Sequence, residues 1–584
     1  NANTYRGKTL IDEGVLNIRN SQSLGVANEV QTVTVTGVAG SFTLTFEGPT
    51  TGALPLGVPA AGGVGPLASV QNALNALSSI GGVGGSVTVT QAGNVYTITF
   101  GGTLGGVNQP PISAVGAAGA TATAATLTDG AADTIVARGA TLQLENVPAP
   151  IDSEFLTLFG MGFGNQGALA NFSGNNRWNG KPITIASPDV AIGVSVAADT
   201  LTIGARLRDT ADPADHFGVI KVGPGTLEYA GVTDNTYDGL TQVNEGTLLL
   251  NMAVGRMPLQ GDLTVGDNVG AADTAVVRLA TGNPDQIPDF SFTTVNADGL
   301  LDLGGENETI DEGEVQGGHI TTGAATFTAD TILSQDGEID VAGGLLRATR
   351  SLEMFDGRVF LIGSGVANVT GLRMTGGTFA LGGATAKVIL AGDVFATSSA
   401  TPRAAIFTGV GVVDLGGATR TFTVVDGPQQ GLADLVFNSS ITGSGGAGLI
   451  KAGNGMLRID STANSYTGVS RIDDGILMVL GTIGDVRLRG GTLGGIGAVG
   501  NVTADPDLGG LVAPGQSPGT LHSSSNVTWN RMVTFFVELN APATPGVTYD
   551  VFDVAGTLNL GLAKLDGDLG PALVINDSFT IITA

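Results

Sequence analysis

The sequence contains no cysteine, which removes disulfides, thiolate metal sites and cysteine nucleophiles together. Aromatic residues make up 5% of the chain and histidine occurs three times, so ring stacking and imidazole chemistry have few carriers. Positive charge is also scarce. Lys plus Arg number 25 against 52 Asp plus Glu, a formal charge of −27 that repels nucleic acid and anionic lipid. No run is long and apolar enough to span a bilayer as a helix, so this segment is not expected to insert into a membrane. Charged residues are only 13% and hydrophobic residues 42%, a balance that offsets ordering entropy and excludes a disordered chain.

Glycine is abundant, with 93 residues in 584, and one motif is written three times. Asn235-Thr236-Tyr237-Asp238-Gly239 followed by Val243-Asn244-Glu245-Gly246-Thr247-Leu248 recurs as Asn464-Ser465-Tyr466-Thr467-Gly468 followed by Ile472-Asp473-Asp474-Gly475-Ile476-Leu477. It also opens the chain as Asn3-Thr4-Tyr5-Arg6-Gly7, then Ile11-Asp12-Glu13-Gly14-Val15-Leu16. The offsets are 232 residues from Gly14 to Gly246 and 229 from Gly246 to Gly475. Upstream, Ile220-Lys221-Val222-Gly223-Pro224-Gly225-Thr226-Leu227 answers Ile450-Lys451-Ala452-Gly453-Asn454-Gly455-Met456-Leu457. Regular repetition in a chain poor in catalytic residue types favours a repeating scaffold over a one-site enzyme.

Between motifs the chain reads as short apolar or alternating runs broken by Gly, Asn, Asp and Pro, such as Gly299-Leu300-Leu301-Asp302-Leu303 and Gly376-Gly377-Thr378-Phe379-Ala380-Leu381. Asn-Gly and Asp-Gly hairpin loops are sparse, which favours a coil whose strands stack in parallel about 4.8 Å apart. The expected fold is all-β, a parallel β-helix. At roughly 20 to 25 residues per rung it makes a rod on the order of 100 Å long.

One stretch breaks the pattern: two alternating strands, Val30–Val35 and Ser41–Phe46, precede a segment Leu67–Leu77 in which Val70, Leu74 and Leu77 share one helical stripe. The strands Ser86–Thr90 and Val95–Phe100 then complete a ββαββ module. The boundaries read as a partial repeat at 1–28, the inserted module at 29–115 and an Ala/Thr/Gly connector at 116–133. The β-helix follows at 134–525, and a wider terminal or capping section at 526–584. Asn1-Ala2-Asn3 opens inside a repeat with no leader visible, and Thr580-Ile581-Ile582-Thr583 closes on a strand-like run. Excision from a longer chain and end-to-end association of copies are therefore expected.

These phrases resemble the autotransporter-associated β-strand repeat of passenger regions in large secreted bacterial surface proteins. The likeness rests on Lys221–Leu227 with Asn235-Thr236-Tyr237, and on Gly490–Gly497 with Ala513–Leu521. Tyr549–Leu558 also carries it. The resemblance implies a right-handed parallel β-helix displayed outside the cell, often in adhesins or structural stalks, and implies no reaction.

Candidate chemistry weighs little. Asp473-Asp474 is the one tempting carboxylate pair beside a strand, but its equivalents are Asn244-Glu245 and Asp12-Glu13, all in the corner before a glycine, which points to turn chemistry. His216, His319 and His522 lie far apart without acids at ligand spacing. Glu306–Glu314 holds five carboxylates in nine residues, and Asp209, Asp212 and Asp215 lie three apart. Either is a Ca²⁺ candidate, though a solvated acidic loop is the better reading. The string Gly443–Gly448 lacks the Lys-Ser/Thr pair of a phosphate loop. Trp178, Trp529, Tyr96, Tyr229 and Phe172 read as core or corner filling rather than sugar platforms. No catalytic, cofactor or metal residue is assigned. The expected function is a non-enzymatic extracellular scaffold, fibre subunit or adhesin. Its rival is a carbohydrate-binding or polysaccharide-cleaving β-helix, which requires two acids and an aromatic gathered in one groove.

Overall fold

A computed structural model describes residues 8–584 apart from 25–27, 107, 129, 131–132, 153, 211, 401–402, 429–430 and 576. The motif residues Asn3 to Gly7 thus lie outside the described residues. The chain divides into two compact units, Asn1–Gln260 and Gly261–Ala584.

In the first unit short strands stack in parallel columns. Asn176–Trp178, Thr200–Ile203, Thr226–Tyr229 and Gly246–Leu250 form one. Its register pairs Leu201 with Leu227 and Leu227 with Leu248, so equivalent apolar side chains sit above one another in the core. A second column runs from Gly14–Ile18 through Ala140–Glu145, Leu169–Ser173 and Val190–Val194 to Val219–Val222 and Thr241–Val243. A third stacks Thr9–Ile11 on Asp133–Val136, then Phe155–Leu158, Ile183–Ile185 and Leu207–Arg208. This is a parallel β-helix.

The inserted module occupies a single rung interval, because Thr9 pairs directly with Thr134 and Leu16 with Leu142. Its first sheet is antiparallel, in the order Gly85–Ala92, Val95–Gly102, Val30–Gly37, Ala120–Thr128. A second, smaller sheet joins Leu54–Pro55, Ser41–Thr45 and Ser113–Ala117. The helix is shorter than the periodicity suggested, Val70–Asn75, because Ser69 adopts an extended conformation and caps it by accepting the Asn72 N–H. At its other end the Asn75 side-chain amide exchanges hydrogen bonds with the Val87 N–H (2.7 Å) and C=O (3.1 Å). Val70, Leu74 and Leu77 do form the expected buried stripe, against Phe42, Phe46, Tyr96, Ile98 and Phe100.

The segment expected as a connector at 116–133 is instead structured. Ala120–Thr128 is a strand of the first sheet, with Thr121 and Thr123 exposed and Ala122 and Ala124 packed on the module core. Its small inward residues disguise the alternation. A buried polar knot ties entry to exit: Gln31 donates to Glu29 (3.0 Å) and Pro110 O (3.0 Å), while the Ile112 and Gly130 N–H groups donate to Gln31 and Glu29 (both 2.7 Å).

The second unit repeats the parallel architecture over more rungs. One column passes from Ala275–Leu279 through Gly299–Asp302, His319–Thr321, Glu338–Ala342, Arg358–Ile362, Thr378–Leu381, Ala405–Gly409 and Leu435–Phe437 to Met456–Ile459. It continues through Ile476–Val479, Thr492–Gly495, Gly510–Pro514 and Val533–Leu539 to Lys564–Leu569. No separate architecture begins at residue 526: the expected terminal section extends the same parallel ladders, and its longer strands are the widened faces of further rungs.

Inside this column Phe379, Phe407 and Phe437 stack face to face at centroid distances of 5.2 and 4.7 Å, all fully buried. Phe407 lies between the other two, so Phe407→Ala leaves a cavity bounded by two rings. The expected loss is about 3–5 kcal/mol, read as a lowered unfolding midpoint by circular dichroism.

Candidate functional site

The repeated motif is spent on joining rungs. Lys221 and Lys451 are fully buried at equivalent positions. The Lys221 ammonium donates to the carbonyls of Val222 (3.2 Å), Gly223 (2.5 Å) and Glu245 (2.8 Å). Lys451 repeats this with Ala452 (3.0 Å), Gly453 (2.5 Å) and Asp474 (3.0 Å). Each lysine therefore gathers carbonyls from its own corner and from the next rung. Burial pushes Lys221 down to about 7 against the opposing pull of Glu245. It pushes Lys451 to about 8 against Asp474 and Asp434.

The motif asparagine clamps the rungs on either side: Asn235 accepts the Leu207 N–H and donates to Pro258 O, both at 2.8 Å. Asn464 accepts from Ile441 (2.7 Å) and donates to Thr482 O (2.9 Å). Two residues on, the buried Tyr237 and Tyr466 hydroxyls meet Thr241 (2.9 Å) and Ser470 (2.7 Å). Gly246 and Gly475 close the corner at φ +70° and +63°, where a Cβ would lie 2.5 Å from Gly223 O and 2.3 Å from Gly453 O.

Of the acids read as corner residues, Asp474 accepts the Gly475 N–H (2.8 Å), while Asp473 takes a bidentate pair from Arg471 (2.7 and 2.8 Å). Asp12 and Glu13 are exposed.

The Glu306–Glu314 carboxylates disperse along the strand Glu308–Gln316 and the turn before it: Glu306 accepts the Gly282 N–H, Glu314 the Gln335 amide, and buried Glu308 the N–H groups of Gln286 and Ile287. Burial raises Glu308 to about 8. Asp212 accepts the Ala214 N–H and Asp215 the Thr210 hydroxyl. Among the described residues no three His, Asp or Glu side chains gather as a metal would require. Trp178, Trp529, Tyr96 and Tyr229 are buried, and Phe172 is exposed.

Each histidine sits beside an aspartate that the sequence reading missed: His216 with Asp238 (2.9 Å), His319 with Asp340 (3.5 Å) and His522 with Asp553 (3.1 Å). The separations of 22, 21 and 31 residues are rung spacings, which is the signal that would have found them. Asp238 raises the exposed His216 by hydrogen bond and charge.

Among the concave sites of the described residues, a groove of about 570 Å³ lies on the outward face of the second unit. Five successive strands supply its floor, from Met456–Ile459 to Val533–Leu539. Met456, Ile476, Met478, Leu511 and Phe536 point outward from these strands, and Gly494 and Ala513 deepen the centre. Leu432, Gln516 and Ser517 also line it.

Two buried carboxylates pin the loops around it. Asp434 accepts from Ser398 (2.7 Å) and from the N–H groups of Gly427 (2.9 Å) and Met456 (3.0 Å). Asp550 accepts the N–H groups of Gly519 and Glu538, both at 2.8 Å. Burial, with the Glu538 charge adding to it, holds Asp550 above the usual carboxylate range. Glu538 itself takes the Ser517 hydroxyl at 2.8 Å on both oxygens. The groove thus gathers Phe536, Glu538 and Asp550, the combination asked of a carbohydrate site.

Residues 1–18, 219–250 and 449–479 match the passenger-associated-transport-repeat, and these are the three motif copies. Over 331 residues the chain is 27% identical to the adhesin BmaC autotransporter of Brucella suis biovar 1 (strain 1330), an alignment covering 54% of this chain and 8% of that protein. The chain therefore spans less than a tenth of the relative it matches. It carries β-repeats of the autotransporter-passenger kind.

Asn235→Ala strips partners from a buried N–H and a buried C=O, an expected loss of about 1–3 kcal/mol in chemical denaturation. The pH dependence has two limbs. Between about 7 and 10.5 the unfolded chain binds more protons at Lys221 and Lys451, so stability rises with pH. From 4.5 to about 7 for Glu154 and about 8 for Glu308 the folded chain binds more, so stability falls with pH. Thermal midpoints measured across this range should dip near neutrality. Lys451→Met flattens the alkaline limb, and Glu308→Gln the acid one.

Proposed function

We propose that this chain is a surface-displayed, adhesin-type passenger segment, a non-enzymatic scaffold whose β-helix holds the inserted module and the groove outside the cell. The observation that carries this reading is the use of the motif: in both described copies its Lys and Asn are consumed by bonds between rungs, and its Tyr by a buried bond within its own corner. A residue set repeated for stacking is a scaffold signature, and recognition is left to what the scaffold carries. The adhesin name of the Brucella relative supports the same role.

Polysaccharide cleavage is the weaker reading, although the groove gathers two acids and an aromatic. A glycosidase needs one carboxyl free to give a proton and another free to attack or activate water. Asp550 is buried with both oxygens committed to backbone N–H groups. That arrangement fits a loop anchor.

The test displays the chain on a non-adherent bacterium through a heterologous outer-membrane anchor and counts cells retained on host epithelium and matrix-coated plates. Retention is expected to rise several-fold and to fall when the module or the groove is altered. No gain in retention, or depolymerisation of neutral or acidic glycans by the purified chain, would overturn the reading.

A further inference from the structure

The geometry points to the groove on the second unit as a binding site for a neutral oligosaccharide. Its floor is the face of a fully paired sheet, since Thr492–Gly495 hydrogen-bonds to Ile476–Val479 on one side and Gly510–Pro514 on the other. No strand edge is offered. An extended peptide lying there would hold its own N–H and C=O groups over Met, Ile and Leu side chains without partners, a costly arrangement. A pyranose ring carries C–H groups on its faces and hydroxyls around its rim, so it can lie on an apolar floor and bond outward.

The groove has both parts. Phe536 and Met478 supply apolar and aromatic surface for a ring face, and Gly494 lets the ring approach the sheet. At the rim, Glu538 offers carboxylate acceptors, Gln516 an amide, and Arg458 further N–H groups beside those it gives to Asp460. Five rungs give a floor of roughly 19 Å at the spacing of stacked strands, room for several sugar units along the coil axis.

The sign of charge selects within the class. Two carboxylates border the groove of a chain with a formal charge of −27, which disfavours uronic and sialic acids through like-charge repulsion. Neutral hexose and N-acetylhexosamine chains remain.

The assignment stands on the groove and is tested apart from adhesion, with purified full-length chain. An array presents neutral hexose and N-acetylhexosamine oligosaccharides, uronic-acid and sialylated oligosaccharides, and apolar peptides, and calorimetry follows with the free neutral oligosaccharide of strongest signal. Neutral sugars are expected to bind, with affinity reduced at least about tenfold by Phe536→Ala and by Glu538→Gln. Thr492→Phe, which places a ring on the floor from an outward position, should abolish binding at an unchanged melting midpoint. Gly494→Ala provides a second, smaller block, since a Cβ there meets Ala513 O at 3.2 Å and Met478 Cε at 3.5 Å. Failure of every neutral sugar to bind, preference for acidic sugars or for the peptides, or binding indifferent to both Thr492→Phe and Phe536→Ala would overturn the proposal. A bound sugar on cells that do not adhere would leave it intact while removing the adhesin reading.

Discussion

Backbone pairing between neighbouring rungs is the constraint from which the rest follows. A strand of three to five residues has no partner within its own coil, so its N–H and C=O groups are satisfied only by the coils beside it. Register then decides everything else, because a slip of one residue would turn Leu227 or Leu457 outward and Thr226 or Met456 inward. The motif acts at this point. Its lysine and asparagine hold carbonyls and amides of adjacent coils at the corners, where the ladder is interrupted and slippage would begin.

Buried carboxylates extend the same logic to the loops of the second unit. Asp298 accepts the N–H groups of Asp267 and Asn268, Glu308 those of Gln286 and Ile287, and Asp434 and Asp550 brace the groove walls. Each loop leaves the stack and returns fixed by an acid placed on a neighbouring coil. Coils can therefore differ in length, as the intervals from Ile406 to Val436 and from Met478 to Gly494 do, without loss of the common core.

Most of the fold was legible because its signals are local. Glycine before an alternating run marks a corner leading into a strand, and the spaced motif copies mark repetition. Val70, Leu74 and Leu77 betray the inserted module, whose last strand escaped notice because alanine faces its core. The site was much less legible. Phe536 and Glu538 were visible only as members of a strand, and nothing in sequence order joins them to Met456, Met478 or Asp550. Their meeting depends on irregular rung lengths, whereas His216–Asp238 and His319–Asp340 follow a plain rung spacing. Lys221 and Lys451 are legible as motif positions, but their carbonyl partners, one of them on the next rung, are not.

The direct stacking of Thr9–Ile11 on Asp133–Val136 has a mechanical side. Tension applied along the coil axis passes through that ladder and by-passes the module, whose entry and exit are tied together by Glu29 and Gln31. Shear along that axis would thus load the stack while leaving the insert slack. Only after the ladder parts would the covalent path through the insert tighten, making it a reserve of length rather than a weak link.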